Sequence, residues 1–138
     1  MTADALDLAR CAVACPGWRW VPGMLDTDGW RILRGEDEDA GASLSNAAGE
    51  MMHDRSLSLS VLPDLTDPAT LGCLLALVRE AWGDETMMVQ ALTDVETPTI
   101  LQWGVWYGFA NVNDVGNTPR AIGPTEAAAL VAALEAAP

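Results

Sequence analysis

Residues 67–83 carry both ends and one face of an α-helix, and this segment limits the folds open to the chain more than any other. Asp67 is an N-cap residue type, with a side-chain oxygen suited to accept from the N–H groups of the first turn. Pro68 suits the first helical position, where its missing N–H costs nothing. Leu71, Leu74, Leu75, Val78 and Trp82 then recur at helical spacing, and Gly83 ends the run. The pattern predicts a central core helix with Leu75 and Val78 buried.

Two further helices are predicted at the ends of the chain. One spans about Ala3 to Cys15, with Thr2 as N-cap, Pro16-Gly17 as its stop, and Leu6, Ala9 and Val13 on one face. The other begins after Gly123-Pro124, with Thr125 as N-cap, and buries Leu130, Val131 and Leu134.

Strand-like segments lie between the helices. Ser56 to Val61 alternates serine with Leu57, Leu59 and Val61, the pattern of a half-buried strand. Trp30–Arg34 and Met87–Thr93 are shorter candidates. Thr99 to Phe109 places Leu101, Trp103, Val105, Tyr107 and Phe109 on a core face, opposite Ile100, Gln102, Gly104, Trp106 and Gly108. The order α-β-β-α-β-β-α predicts an α+β fold, a small antiparallel sheet of about four strands with helices on one face.

A chain of 138 residues fits a single domain, and half of its residues are hydrophobic, six of them Trp. A core of that size needs no metal or disulfide staple. The longest uncharged apolar stretch, Leu71 to Val78, is far short of a membrane span. Asp4 and Asp7 stand where a secretion signal would be basic, so a cytoplasmic location is expected. An odd number of cysteines, Cys11, Cys15 and Cys73, agrees with a reducing compartment and with mostly buried thiols.

Twenty carboxylates oppose seven arginines, lysine is absent, and the formal charge is −13. This balance excludes phosphate neutralisation as a route to nucleic acid or to an anionic membrane. It leaves solubility, a basic protein partner, or imitation of nucleic-acid charge. A homo-oligomer is also compatible with it.

Catalytic patterns are missing. Without lysine there is no phosphate-loop lysine and no Schiff base, and no G-x-S-x-G nucleophile motif is present. His53 is the only histidine, with Asp54 beside it and Glu50 three residues before. A metal site would need further ligands that the chain cannot supply as histidine. A Cys–His pair would draw on a cysteine in an apolar helical segment, where thiols are inert. The expectation is a non-enzyme with no cofactor and no metal.

Two binding features remain. Asp26, Asp28, Glu36, Asp37, Glu38 and Asp39, in the acidic stretch from Asp26 to Asp54, make a candidate surface for a basic protein partner. Gln102, Gly104, Trp106 and Gly108 make a candidate face for a small, nucleotide-like ligand, because strand glycines often mark close approach of a ligand or chain. The same glycines also accommodate a covering segment such as Trp18-Arg19-Trp20.

The segments Gly17–Met24, Leu62–Ala81 and Thr125–Ala136 resemble small uncharacterised proteins of bacteriophages and prophages from GC-rich bacteria. The resemblance covers about a third of the chain, mostly caps and core, and brings no catalytic or binding residues with it. It implies an accessory protein that binds and blocks host machinery, immune effectors included, in the host cytoplasm. A structural virion component is the other role that such an origin allows.

Overall fold

In a computed structural model, residues 2–58, 60–93, 96, 99–107 and 118–138 are described. The elements run α1 (Ala3–Ala14), β1 (Arg31–Arg34), β2 (Ala42–Ser45), β3 (Met51–Arg55), α2 (Pro68–Trp82), β4 (Met88–Thr93), β5 (Ile100–Trp106), β6 (Ala121–Gly123) and α3 (Glu126–Glu135). The fold is α+β, as the sequence predicts. The strands form two antiparallel three-stranded sheets, β1-β2-β3 and β4-β5-β6, instead of one sheet of about four. The chain divides into two compact units, Met1–Ala14 with Trp18–Cys73 and Cys15–Gly17 with Leu74–Pro138, and α2 runs from one into the other.

In the first unit, β2 and β3 are joined by the tight turn Asn46–Glu50. The Asn46 side-chain oxygen accepts from the N–H groups of Ala48 (3.1 Å) and Glu50 (2.9 Å). This local closure recruits Met51–Arg55 as the third strand. Among the described residues of Ser56–Val61 there is no strand, and the Val61 N–H closes a turn onto the Ser58 carbonyl at 3.0 Å. Serine–leucine alternation predicts a strand that is not seen there, because a nearby hairpin pairs with little loop closure. Met24, Ile32, Ala42, Leu44, Leu62 and Leu65 are buried here. On α1, Ala9 and Ala12 are buried while Leu6 and Val13 are only half-buried. Cys15 is buried and Cys73 half-buried, but Cys11 is exposed, so the thiols are not uniformly core groups.

The predicted caps are present. Asp67 accepts from the Thr70 N–H at 2.9 Å, and Gly83 takes φ 67°, a left-handed conformation that ends α2 cheaply only as glycine. Thr125 accepts from the Ala128 N–H at 3.1 Å. The buried residues of α2 are Thr70, Leu74, Leu77 and Val78, with Leu75 half-buried, so the helix is rotated from the predicted stripe.

In the second unit, α3 lies across β4-β5-β6 and buries Leu130, Val131 and Leu134. It approaches most closely at Gly123, where a Cβ would stand 2.6 Å from the Ala129 nitrogen. Pairing of Val89 with Val105 and of Val105 with Ala121 sets one face of the sheet, and Met88–Trp106 and Gly104–Ile122 set the other. Between Leu92–Gln102 and Thr93–Ile100 the register skips Leu101. That irregularity leaves Leu101 62% exposed, although strict alternation would make it core. Phe109 lies outside the described residues.

Candidate functional site

Asp26 is not part of an acidic surface. It is 4% exposed, and its carboxylate accepts from the N–H groups of Asp28 and Trp30, each at 2.9 Å. Its role is to close the turn that leads into β1. Short polar side chains at turns commonly bond the backbone two residues on, and that was the available sequence signal.

The remaining carboxylates divide between the two ends of the first sheet. Asp28 is exposed and precedes Arg31, whose partner across the sheet is Ser45. Glu36, Asp37, Glu38 and Asp39 are exposed in the β1–β2 connection, beyond Arg34 at the other end. Asp54 joins this second group, because Ala42 pairs with Arg55 and Gly41 packs on the Asp54 backbone. Asp54 is itself exposed, in a left-handed conformation at φ 54°.

The loop is shaped by its own carboxylates. One Asp37 oxygen accepts from the N–H groups of Asp39 (2.9 Å) and Ala40 (2.7 Å). Those backbone bonds, Asp39 first, hold the Asp37 carboxyl below its ordinary range. Glu36 accepts from the Leu57 N–H, and Arg34 donates to the Gly41 carbonyl at 3.0 Å. Four like side chains are thus held next to one another and exposed to solvent.

The strand face differs from the sequence expectation. Gln102 is exposed, but Gly104 is buried and Trp106 is 4% exposed. The indole folds back along its own strand. A Cβ on Gly104 would meet Trp106 Nε1 at 2.9 Å and the Pro119 side chain at 3.2 Å. The glycine therefore makes room for the ring, and Trp106 presents no open surface for a base to stack on. Among the described residues its buried Nε1 has no hydrogen-bond partner. Gly108 lies outside the described residues.

His53 is exposed, with Nδ1 3.5 Å from the Ser43 hydroxyl, and Glu50 accepts from Asn46 Nδ2 at the opposite end of β3. Among the described residues no three His, Cys, Asp or Glu side chains are grouped to hold a metal ion. The Cys73 thiol lies 3.6 Å from the Pro22 carbonyl, and burial pushes its pKa up, away from a reactive thiolate. A recess of about 390 Å³ is lined by Leu25, Gly29, Arg31, Ser45, Asn46 and Ala47. Its one cation, Arg31, already donates to the Gly23 carbonyl and to Asp67.

Among the described residues no helix is long and apolar enough to cross a membrane. No protein-family model matches the chain, and neither does any curated protein or solved structure.

Proposed function

We propose that this chain is a non-enzymatic binding protein that docks on a basic protein surface through Glu36, Asp37, Glu38 and Asp39, with Asp54 alongside. The observation that carries this reading is the loop's internal bonding. Asp37 fixes the backbone of the acidic run, so four exposed carboxylates are presented with little ordering cost on binding. Asp26 and Asp28 take no part in the proposed contact. The resemblance to phage and prophage proteins makes the proposed partner a host protein whose basic site otherwise holds nucleic acid, met in the host cytoplasm. Electrostatic steering is the mechanism: complementary charge raises the association rate more than it slows dissociation.

The test is a variant carrying Glu36→Gln, Asp37→Asn, Glu38→Gln and Asp39→Asn. The Asn at position 37 keeps the oxygen that accepts from Asp39 and Ala40. Association is measured against an arginine-rich peptide and against a partner captured from host cells. The variant should associate about tenfold more slowly or worse, with a flattened salt dependence. Association as fast as the parent's, with the same salt slope, overturns the reading.

A further inference from the structure

Among the described residues the two sheets have four edges, and three are guarded. β1 carries Arg31 and Arg34 and is bridged by Leu25 at Arg31. β3 carries Arg55 and the left-handed Asp54. β6 has only three residues, and Pro124 follows it. Charges, kinks, brevity and proline are the usual devices that stop an edge from pairing with another chain. The fourth edge has none of them from Met88 to Leu92, ahead of the irregularity at Leu92/Thr93. β4 reads Met-Val-Gln-Ala-Leu-Thr, without charge or proline, in a chain of which a fifth is charged. None of its six residues is fully buried, and among the described residues its backbone bonds only to β5.

We propose that β4 is the pairing edge of a two-fold dimer of this chain, joining two three-stranded sheets into one of six. Antiparallel pairing requires partners of the same hydrogen-bonding parity, and a one-residue slip would send every side chain to the wrong face. The register centred on Gln90 meets that condition. It sets Met88 opposite Leu92, Val89 opposite Ala91 and Gln90 opposite its own copy, and it stops before the irregularity at Leu92/Thr93. Apolar residues then meet apolar residues, and the contact is self-complementary, as a closed dimer demands.

Charge selects the occupant. Two copies at −13 repel wherever their carboxylates face each other, and this edge offers six uncharged residues in a row. A basic partner has no reason to choose it. A short strand pair buries less than a standard interface, so the dimer is weak, concentration-dependent and opposed by residual repulsion. Salt therefore strengthens it, whereas salt weakens docking through the acidic loop. The two proposals fail separately.

Sedimentation velocity from micromolar to millimolar protein, at several salt concentrations, tests the dimer. Self-association should tighten about tenfold between roughly 0.01 M and 1 M salt, as the screening length falls from about 30 Å to 3 Å. Gln90 is exposed, so Gln90→Glu should leave the circular dichroism spectrum and melting temperature unchanged. It should weaken the dimer at least about tenfold by opposing two carboxylates at the axis. In a Cys11→Ser background, Gln90→Cys treated with an added thiol oxidant should form a covalent dimer, since directly opposed Cβ atoms, about 4.5–5.5 Å apart, need only a small shift to reach the roughly 3.5–4.5 Å that a disulfide spans. Ile122→Cys, exposed on β6, should not. A monomer at every concentration and salt overturns the proposal. So does a Gln90→Glu variant that dimerises like the parent, or crosslinking at position 122 as efficient as at position 90.

Discussion

Arg31 and Asp67 meet through two hydrogen bonds, of 3.1 and 3.3 Å, so the residue that caps α2 also anchors the first strand of the sheet beside it. The same carboxylate accepts from the Thr70 amide and hydroxyl, and that hydroxyl accepts from the Leu25 N–H at 2.9 Å. The Arg31 bond, ahead of those from Thr70, holds the Asp67 carboxyl below its ordinary range against the opposing effect of burial.

Asp67→Ala should destabilise the protein by about 0.5–3 kcal/mol. Losing an N-cap costs about 0.5–2 kcal/mol, and the partly exposed ion pair adds at most about 1 kcal/mol. Asp67→Asn keeps an acceptor for the Thr70 amide and should cost less than Asp67→Ala. The pH dependence has a definite sign. Because the folded pKa lies below the unfolded value of about 3.9, the ionised carboxylate stabilises the fold fully above that value. This contribution is lost as pH falls through the folded pKa. The gap between parent and Asp67→Asn in urea melts should therefore be constant near neutral pH and narrow as pH falls below about 3.9. A gap that does not narrow would show that the charge on Asp67 contributes nothing.

Leu74→Ala should cost about 2–5 kcal/mol, through lost burial plus a cavity, and Leu75→Ala clearly less. Leu74 is fully buried and Leu75 is not, although both lie on the predicted stripe. Denaturant melts of the two variants compare them directly, and an equal loss would place Leu75 in the core after all.

That pair also shows what the sequence could express. The ends of α2 were legible because Asp67, Pro68 and Gly83 act on their own backbone. The buried face was not, because apolar residues cover more than one stripe and helical periodicity alone cannot choose between them. Thr70 belongs to the buried face, yet it earns its place only through Asp67 and Leu25, the latter 45 residues away. The acidic surface was legible in the same partial way. Glu36 to Asp39 are exposed as a charge run should be, whereas Asp26 is consumed by turn chemistry and Asp28 falls at the far end of the strand. Strand β2 has only four residues, too few for alternation to stand out, and the β3 it recruits is Met-Met-His-Asp-Arg, with no alternation at all.

Acid should promote self-association. The charge of −13 fades as pH falls toward the pI of about 4.1, and with it the repulsion between copies. Light scattering should rise between pH 7 and about pH 4.5. An unchanged signal would mean that carboxylate repulsion is not what keeps the copies apart.

Gly104 and Trp106 should be energetically coupled. The indole edge occupies the space in which a Gly104 side chain would begin, so Gly104→Ala must displace either the ring or Pro119. Overpacking of this kind costs about 1–3 kcal/mol. Trp106→Leu alone should also destabilise, since it empties a buried site, but it removes the buried Nε1, which has no partner among the described residues. Leaving such a donor unpaired costs about 1–3 kcal/mol, which offsets part of the lost burial. In the double variant, the methyl at position 104 enters space that the ring has vacated. Its loss should therefore be smaller than the sum of the two single losses by about 1 kcal/mol or more, within the range for residues in contact. A double-mutant cycle in denaturant measures this directly. Additive losses would mean that the ring does not lie over Gly104, and would reopen the strand face as a platform for a stacked ligand.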